Sequence, residues 1–255
     1  MNIVIVGAGR VGTALSQALH TSGHNILRII SRSTEKAESL ANIFGSGYGH
    51  DLVIPQESEV VIVAVNDDSI YGVVKEIDAP DRTIIIHTAG SVGLDVFGDN
   101  IVNHGVLYPL QTFTYGRGYN FREIPVFIEG NNEYTVSMLR SLAVSVSESV
   151  IYLSSEKRRY LHLAAVFACN FVNHMYFAGK EISEQAGMEF KVLLPLLKET
   201  MEKASDLGPE RSQTGPAVRN DKKTIEKHLD LLSFSPDLQK IYTVLTDSII
   251  NKYTA

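Results

Sequence analysis

The run Gly7-Ala8-Gly9-Arg10-Val11-Gly12 is the first place in this chain where residue type and spacing could do chemistry. Glycines spaced GxGxxG suit a dinucleotide. The first permits a tight turn, the second lets the backbone approach a pyrophosphate, and the third lets a helix pack closely on a strand. An apolar run over residues 3–6 precedes the motif, and a helical pattern follows it. The helix amino terminus would offer free N–H groups and a positive dipole end to phosphate, with Arg10 and Val11 in its first turn. The residues after the second apolar run then sort the two nicotinamide dinucleotides. A carboxylate there accepts from a ribose 2′-hydroxyl, whereas this chain has Ser31-Arg32-Ser33-Thr34. Arg32 can pair with a 2′-phosphate, and the hydroxyls of Ser31 and Ser33 can donate to it. The expected cofactor is NADP.

Hydride transfer also needs a group that gives a proton to the substrate oxygen or nitrogen. Two loops at expected strand ends carry candidates. Val65-Asn66-Asp67-Asp68 places Val65 and Asn66 beside the cofactor ribose, with Asp67 or Asp68 as a helix cap. His87-Thr88-Ala89-Gly90-Ser91 offers an imidazole and the Ser91 hydroxyl near the nicotinamide. A helix expected over residues 155–187 carries His162, Asn170 and Asn173, spaced by eight and eleven residues, on nearly one face of an apolar run. Buried polar groups must find partners, in the protein or in substrate. Arg159 is a candidate anchor for an acidic substrate group, while Arg158 beside it reads as a surface charge. Gln111 in the loop 107–113, and Thr214 and Arg219 in the loop 213–221, complete the substrate-side candidates. The eight histidines show no metal-ligand spacing. Cys169 is the single cysteine, reads as a buried inert thiol, and excludes an intrachain disulfide.

The elements that must position these groups are legible in the hydrophobic pattern. Val/Ile-rich runs at 3–6, 26–30, 60–65, 84–87 and 102–108 are nearly continuous, as in strands buried on both faces. Helical patterns at 11–22, 34–44 and 69–77 lie between them, and 125–129, 133–144 and 150–153 add a strand, a helix and a strand. The expected class is α/β, a doubly wound sheet over residues 1–154, followed by an all-helical domain over residues 155–255. Of the 255 residues, 44% are hydrophobic, enough for a sizeable core, and the net charge of -6 argues against nucleic acid. No run reaches a membrane span, and no signal peptide is read, so the expected location is the cytoplasm. The long helix is apolar on more than one face, which points to a homodimer.

The segments VGAGRVGTAL, HTAGS, LYPLQTF, RRYLHLAAVFACNFVNH, LLPL and TGPAVRNDKKTIEKHL resemble a bacterial family along essentially the whole chain. Its members join a Rossmann-like domain to a carboxy-terminal domain of unknown function. They are usually labelled NADP oxidoreductases of the deazaflavin-coenzyme-dependent type, similar in layout to pyrroline-5-carboxylate and ketopantoate reductases. The resemblance implies a fold and a cofactor and no particular substrate. Many ketopantoate reductases carry Lys-x-x-x-Asn on this helix; Asn170 fits the Asn, but Val166 stands at the Lys position. Where the family reads Arg-Gly-Asp, this chain has Arg219-Asn220-Asp221. The expected activity is hydride transfer to or from a small carbonyl or imine. A pyrroline-5-carboxylate reductase-like enzyme and a non-catalytic dinucleotide sensor are the alternatives.

Overall fold

The computed structural model describes residues 1–253. Its amino-terminal part runs β1 (Asn2–Val6), α1 (Arg10–Thr21), β2 (Asn25–Ile30), α2 (Thr34–Phe44), β3 (Gly47–Gly49), β4 (Val60–Val63), α3 (Asp67–Glu76), β5 (Ile84–His87), β6 (His104–Pro109), β7 (Val126–Gly130), α4 (Glu133–Val146) and β8 (Val150–Tyr152). The strands form one sheet in the order β3-β2-β1-β4-β5-β6-β7-β8. All pairs are parallel except β6–β7. The order reverses between β1 and β4, which puts the ligand crevice of such sheets at the carboxyl ends of those strands.

The two faces follow from the strand period of two. Ile3 and Ile5 pack with Leu15 and Leu19 of α1, Leu40 of α2 and Leu139 of α4. Val4 and Val6 pack with Ile70 and Val74 of α3 on the other side. Ser33 and Asn132 cap α2 and α4 through the backbone N–H of Lys36 and Thr135. The doubly wound α/β reading is observed. The short β3 adds to it; Gly47-Tyr48-Gly49 has no apolar run to announce a strand.

Two compact units divide the chain at Asn170/Phe171. The first therefore runs past Ser154 and keeps α5 (Ser155–Ala165) with the sheet. The reason is electrostatic. Arg158, read from the sequence as a surface charge, is 1% exposed and pairs with Glu129 of β7 at 2.5 Å. Glu129 also accepts from the Ser155 N–H and hydroxyl, and Arg158 donates to the Val92 carbonyl. The helix expected over 155–187 changes geometry at Val166–Phe171, one π-helical stretch. Cys169 lies there and is exposed, not buried.

The second unit is helical: α6 (Val172–Gln185), α7 (Leu194–Leu207), the single turn α8 (Pro209–Ser212), α9 (Lys222–Leu231) and α10 (Pro236–Tyr253). Pro195 sits in the first turn of α7, where a residue needs no N–H partner. Ala178, Leu232 and Leu238 form its buried cluster. Asn220 has φ +50°, a left-handed conformation that glycine adopts freely and asparagine tolerates. That accounts for asparagine where the resembling family has glycine. No helix of the described residues is long and apolar enough to cross a membrane.

Removing one partner of a buried ion pair leaves an uncompensated charge, at a cost of about 3–5 kcal/mol. Glu129→Ala should lower unfolding stability in urea by that amount. Glu129→Leu combined with Arg158→Met should recover most of it. A single variant within about 1 kcal/mol of wild type would contradict this role.

Candidate functional site

The glycine turn is built by backbone contact. Gly7 has φ +117°, and a side chain there would meet the Ala64 carbonyl. A Cβ on Gly12 would run into the Gly7 carbonyl, so helix and strand could not approach as they do. Gly9 differs: a Cβ on it would find its nearest neighbour, the Ala64 oxygen, at 3.9 Å, so protein does not fill that space. The cradle fits a pyrophosphate laid against Gly9. The first-turn N–H groups of α1 have no intrahelical acceptor, and no acid stands in that turn.

Beyond β2, Ser31 and Ser33 hydrogen-bond locally, and Ser33 caps α2. Arg32 is exposed and, among the described residues, has no hydrogen-bond or ion-pair partner. A free guanidinium beside two hydroxyls suits a 2′-phosphate. Val65 follows β4, and Asn66 occupies the cap position of α3. The expected cap at Asp67 or Asp68 is thereby corrected: both lie in the helix's first turn, where acids favour the dipole.

The proton-donor candidates separate sharply. His87 is fully buried and stacked on Phe97. Its Nδ1 accepts from the Ala89 N–H at 3.2 Å, leaving Nε2–H to donate to the Gly93 carbonyl at 3.4 Å. Burial, reinforced by the Arg158 charge, holds its pKa down to about 4. His87 is therefore a neutral organiser of the 89–93 loop.

His162 of α5 occupies the other side of that loop. A Cβ on Gly90 would stand 2.6 Å from its Nδ1, so only glycine lets the loop lie against the ring. Its Nδ1 meets the Tyr108 hydroxyl at 3.1 Å, and its Nε2 has no partner among the described residues. Burial and then the Asp67 charge raise the Tyr108 phenol, which stays protonated. Ser91 donates from its hydroxyl to Asp67 in a short contact, and its carbonyl accepts from Arg159 Nε at 3.2 Å. Arg159 also approaches Asp95 at 3.9 Å with both side chains largely exposed.

The structure thus brings His162 and Ser91 to one loop and adds Tyr108 and Asp67. Tyr108 ends an apolar strand run, where it reads as core; its only signal was a phenol needing a partner. Asn170 is exposed in the π stretch, which breaks the 3.6-residue spacing on which its shared face with His162 rested. Among the described residues, the Gln111 side chain bonds only its own neighbour, Thr112. Thr214 and Arg219 are exposed residues of the second unit. There Asp221 caps α9 through Thr224.

Residues 2–90 match the family model described as NADP oxidoreductase, coenzyme F420-dependent, and residues 124–249 match a domain of unknown function, DUF2520. A Bacteroides fragilis protein whose crystal structure is assigned to the NADP oxidoreductases is 37% identical, with a TM-score of 0.90 over 98% of both chains. A Thermotoga maritima protein is 23% identical, with a TM-score of 0.81 over 99% of this chain and 100% of its own. The reductive aminase of Aspergillus terreus, solved with NADPH and ethyl-5-oxohexanoate, shares the fold at 12% identity, with a TM-score of 0.72 over 98% of this chain and 94% of its own. No curated protein matches. The glycine turn, the sheet order and 37% identity along nearly the whole chain lead to one conclusion: the chain belongs to the NADP oxidoreductase family that joins a Rossmann domain to a DUF2520 domain.

Proposed function

We propose that the chain is an NADP-dependent reductase or dehydrogenase acting on a small carbonyl or imine. The observation that carries the reading is His162 of α5, held by Tyr108 at one nitrogen and open at the other, against the loop that follows β5. A sensor would need no such group. When bound, NADPH supplies hydride to the substrate carbon. In that direction, His162 in its protonated form gives the Nε2 proton to the substrate oxygen or nitrogen. Its Nδ1–H meanwhile keeps its bond to Tyr108, which fixes the ring orientation. Ser91 offers a further polar contact. Arg159, anchored by one backbone carbonyl and only loosely paired, has guanidinium N–H groups left for a substrate carboxylate or phosphate. Gln111, in the loop that follows β6, stands as a further substrate-side residue. The fold likeness to an NADPH-bound reductive aminase favours the imine side of the range.

The cofactor form rests on Arg32. NADPH should bind at least tenfold more tightly than NADH. Arg32→Ala should cost NADPH roughly 1.5–3 kcal/mol, the worth of a charged hydrogen bond, and leave NADH nearly unchanged. Calorimetry with both nucleotides measures this; equal losses, or a wild-type preference for NADH, would contradict it.

A reduced cytoplasmic setting and a homodimer complete the reading. The dimer is supported by the second unit's exposed apolar side chains, among them Phe177, Met201, Leu231 and Val244, which a second copy would cover. Light scattering at micromolar concentration should give twice the chain mass; a monomer mass contradicts the assembly.

A further inference from the structure

We propose that Tyr115, which no part of the glycine motif announces, is a positioning residue of the cofactor cradle: it pins the Ala8–Gly9 peptide so that the Gly9 N–H faces the pyrophosphate. The proposal rests on the reading that the chain binds NADPH. Tyr115 comes from the loop after β6, far from the motif in sequence, yet its hydroxyl donates to the Ala8 carbonyl at 3.3 Å. Its ring lies 5.9 Å from the Arg10 guanidinium carbon, within cation–π range.

Peptide geometry gives this contact its consequence. The Ala8–Gly9 bond is trans, so its carbonyl and its N–H point in opposite directions across one plane. Glycine at position 9 leaves that plane freer to rotate. A rotated plane would aim a carbonyl oxygen at phosphate oxygens, and like partial charges would repel. Holding the Ala8 oxygen on the Tyr115 side keeps the N–H on the other. The same ring steadies Arg10 at the first position of α1, where its charge adds to the helix dipole.

The loop is built to deliver this side chain. Phe113 is buried and stacks on Phe121, which fixes the base of the loop. The Tyr119 hydroxyl accepts from the Thr114 N–H at 2.6 Å and donates to the Thr112 carbonyl at 3.2 Å, tightening the turn just before Tyr115. Tyr115 itself is 51% exposed, so core packing does not explain its place.

The test is nucleotide titration by fluorescence, with NADPH and NADH, on wild type, Tyr115→Phe and Tyr115→Ala. One neutral hydrogen bond is worth about threefold in affinity, so Tyr115→Phe should bind about threefold more weakly. Losing the ring as well should bring Tyr115→Ala to about tenfold. Both losses should be equal for the two nucleotides, because the pyrophosphate is common to them, and the melting temperature should stay unchanged. Arg32→Ala, which touches only the 2′-phosphate, should discriminate between them in the same assay. Wild-type affinity in Tyr115→Phe overturns the peptide pin, as does a loss confined to NADPH. A wild-type protein that binds neither nucleotide overturns the cofactor reading, and the pin with it.

Discussion

Arg158 heads the largest fully buried side chains of the molecule, and its charge cannot be left alone there. Glu129 answers it from the end of β7, and the pair recruits Ser155 and the Val92 carbonyl. These bonds fasten the start of α5 to the sheet and hold the loop after β5 from outside. His87 holds the same loop from inside through Ala89 and Gly93. Between the two grips the loop has little freedom, and Gly90 lies flat against His162. The placement of His162 against this loop is thus a consequence of one desolvated ion pair and one neutral buried imidazole. The desolvation cost of such a pair is high, and replacement by apolar residues is often neutral for stability. Its bonds to α5 and to the loop after β5 fit a role in orientation.

Electrostatics divide the carboxyl edge of the sheet into two regions. At β1 and β2 the chain presents helix N–H groups, Arg10 and Arg32, with no acid in the first turn of α1. That region suits phosphates. At β4, β5 and β6 it presents Asp67, Ser91 and Tyr108, with His162 and Arg159 of α5 against them. That region suits a polar ligand group. A dinucleotide spans such an edge from one region to the other.

Much of the scaffold was legible in the sequence because strands buried on both faces leave continuous Val/Ile runs, and because glycines and capping residues mark turns. The GxGxxG turn could be read for the same reason: each glycine answers a local steric demand. The pairs that form the site could not. Glu129 was a lone acid ending the apolar run Val126-Phe127-Ile128, a signal that a cation must meet it. Nothing in sequence said that the cation was Arg158 rather than Arg159. Adjacent helical residues point about 100° apart, so one arginine enters the core and the other stays at the rim. His87 and His162 read alike as proton donors, but burial decides the protonation of His87, and burial is a tertiary property. Tyr108 and Tyr115 lie in segments that read as core and loop; their partners sit on elements distant in the chain.

We propose that this edge transfers hydride with His162 as the proton donor. The most direct measurement is isotope transfer. Protein loaded with NADPH carrying deuterium at the transferable C4 position is incubated with a panel of small ketones and cyclic imines, and products are read by mass spectrometry. The account predicts one deuterium at the former carbonyl or imine carbon of a panel member. It also predicts that His162→Ala loses the transfer while still binding NADPH. A protein that binds NADPH tightly and leaves every panel member unlabelled, or a His162→Ala variant with undiminished transfer, would contradict it.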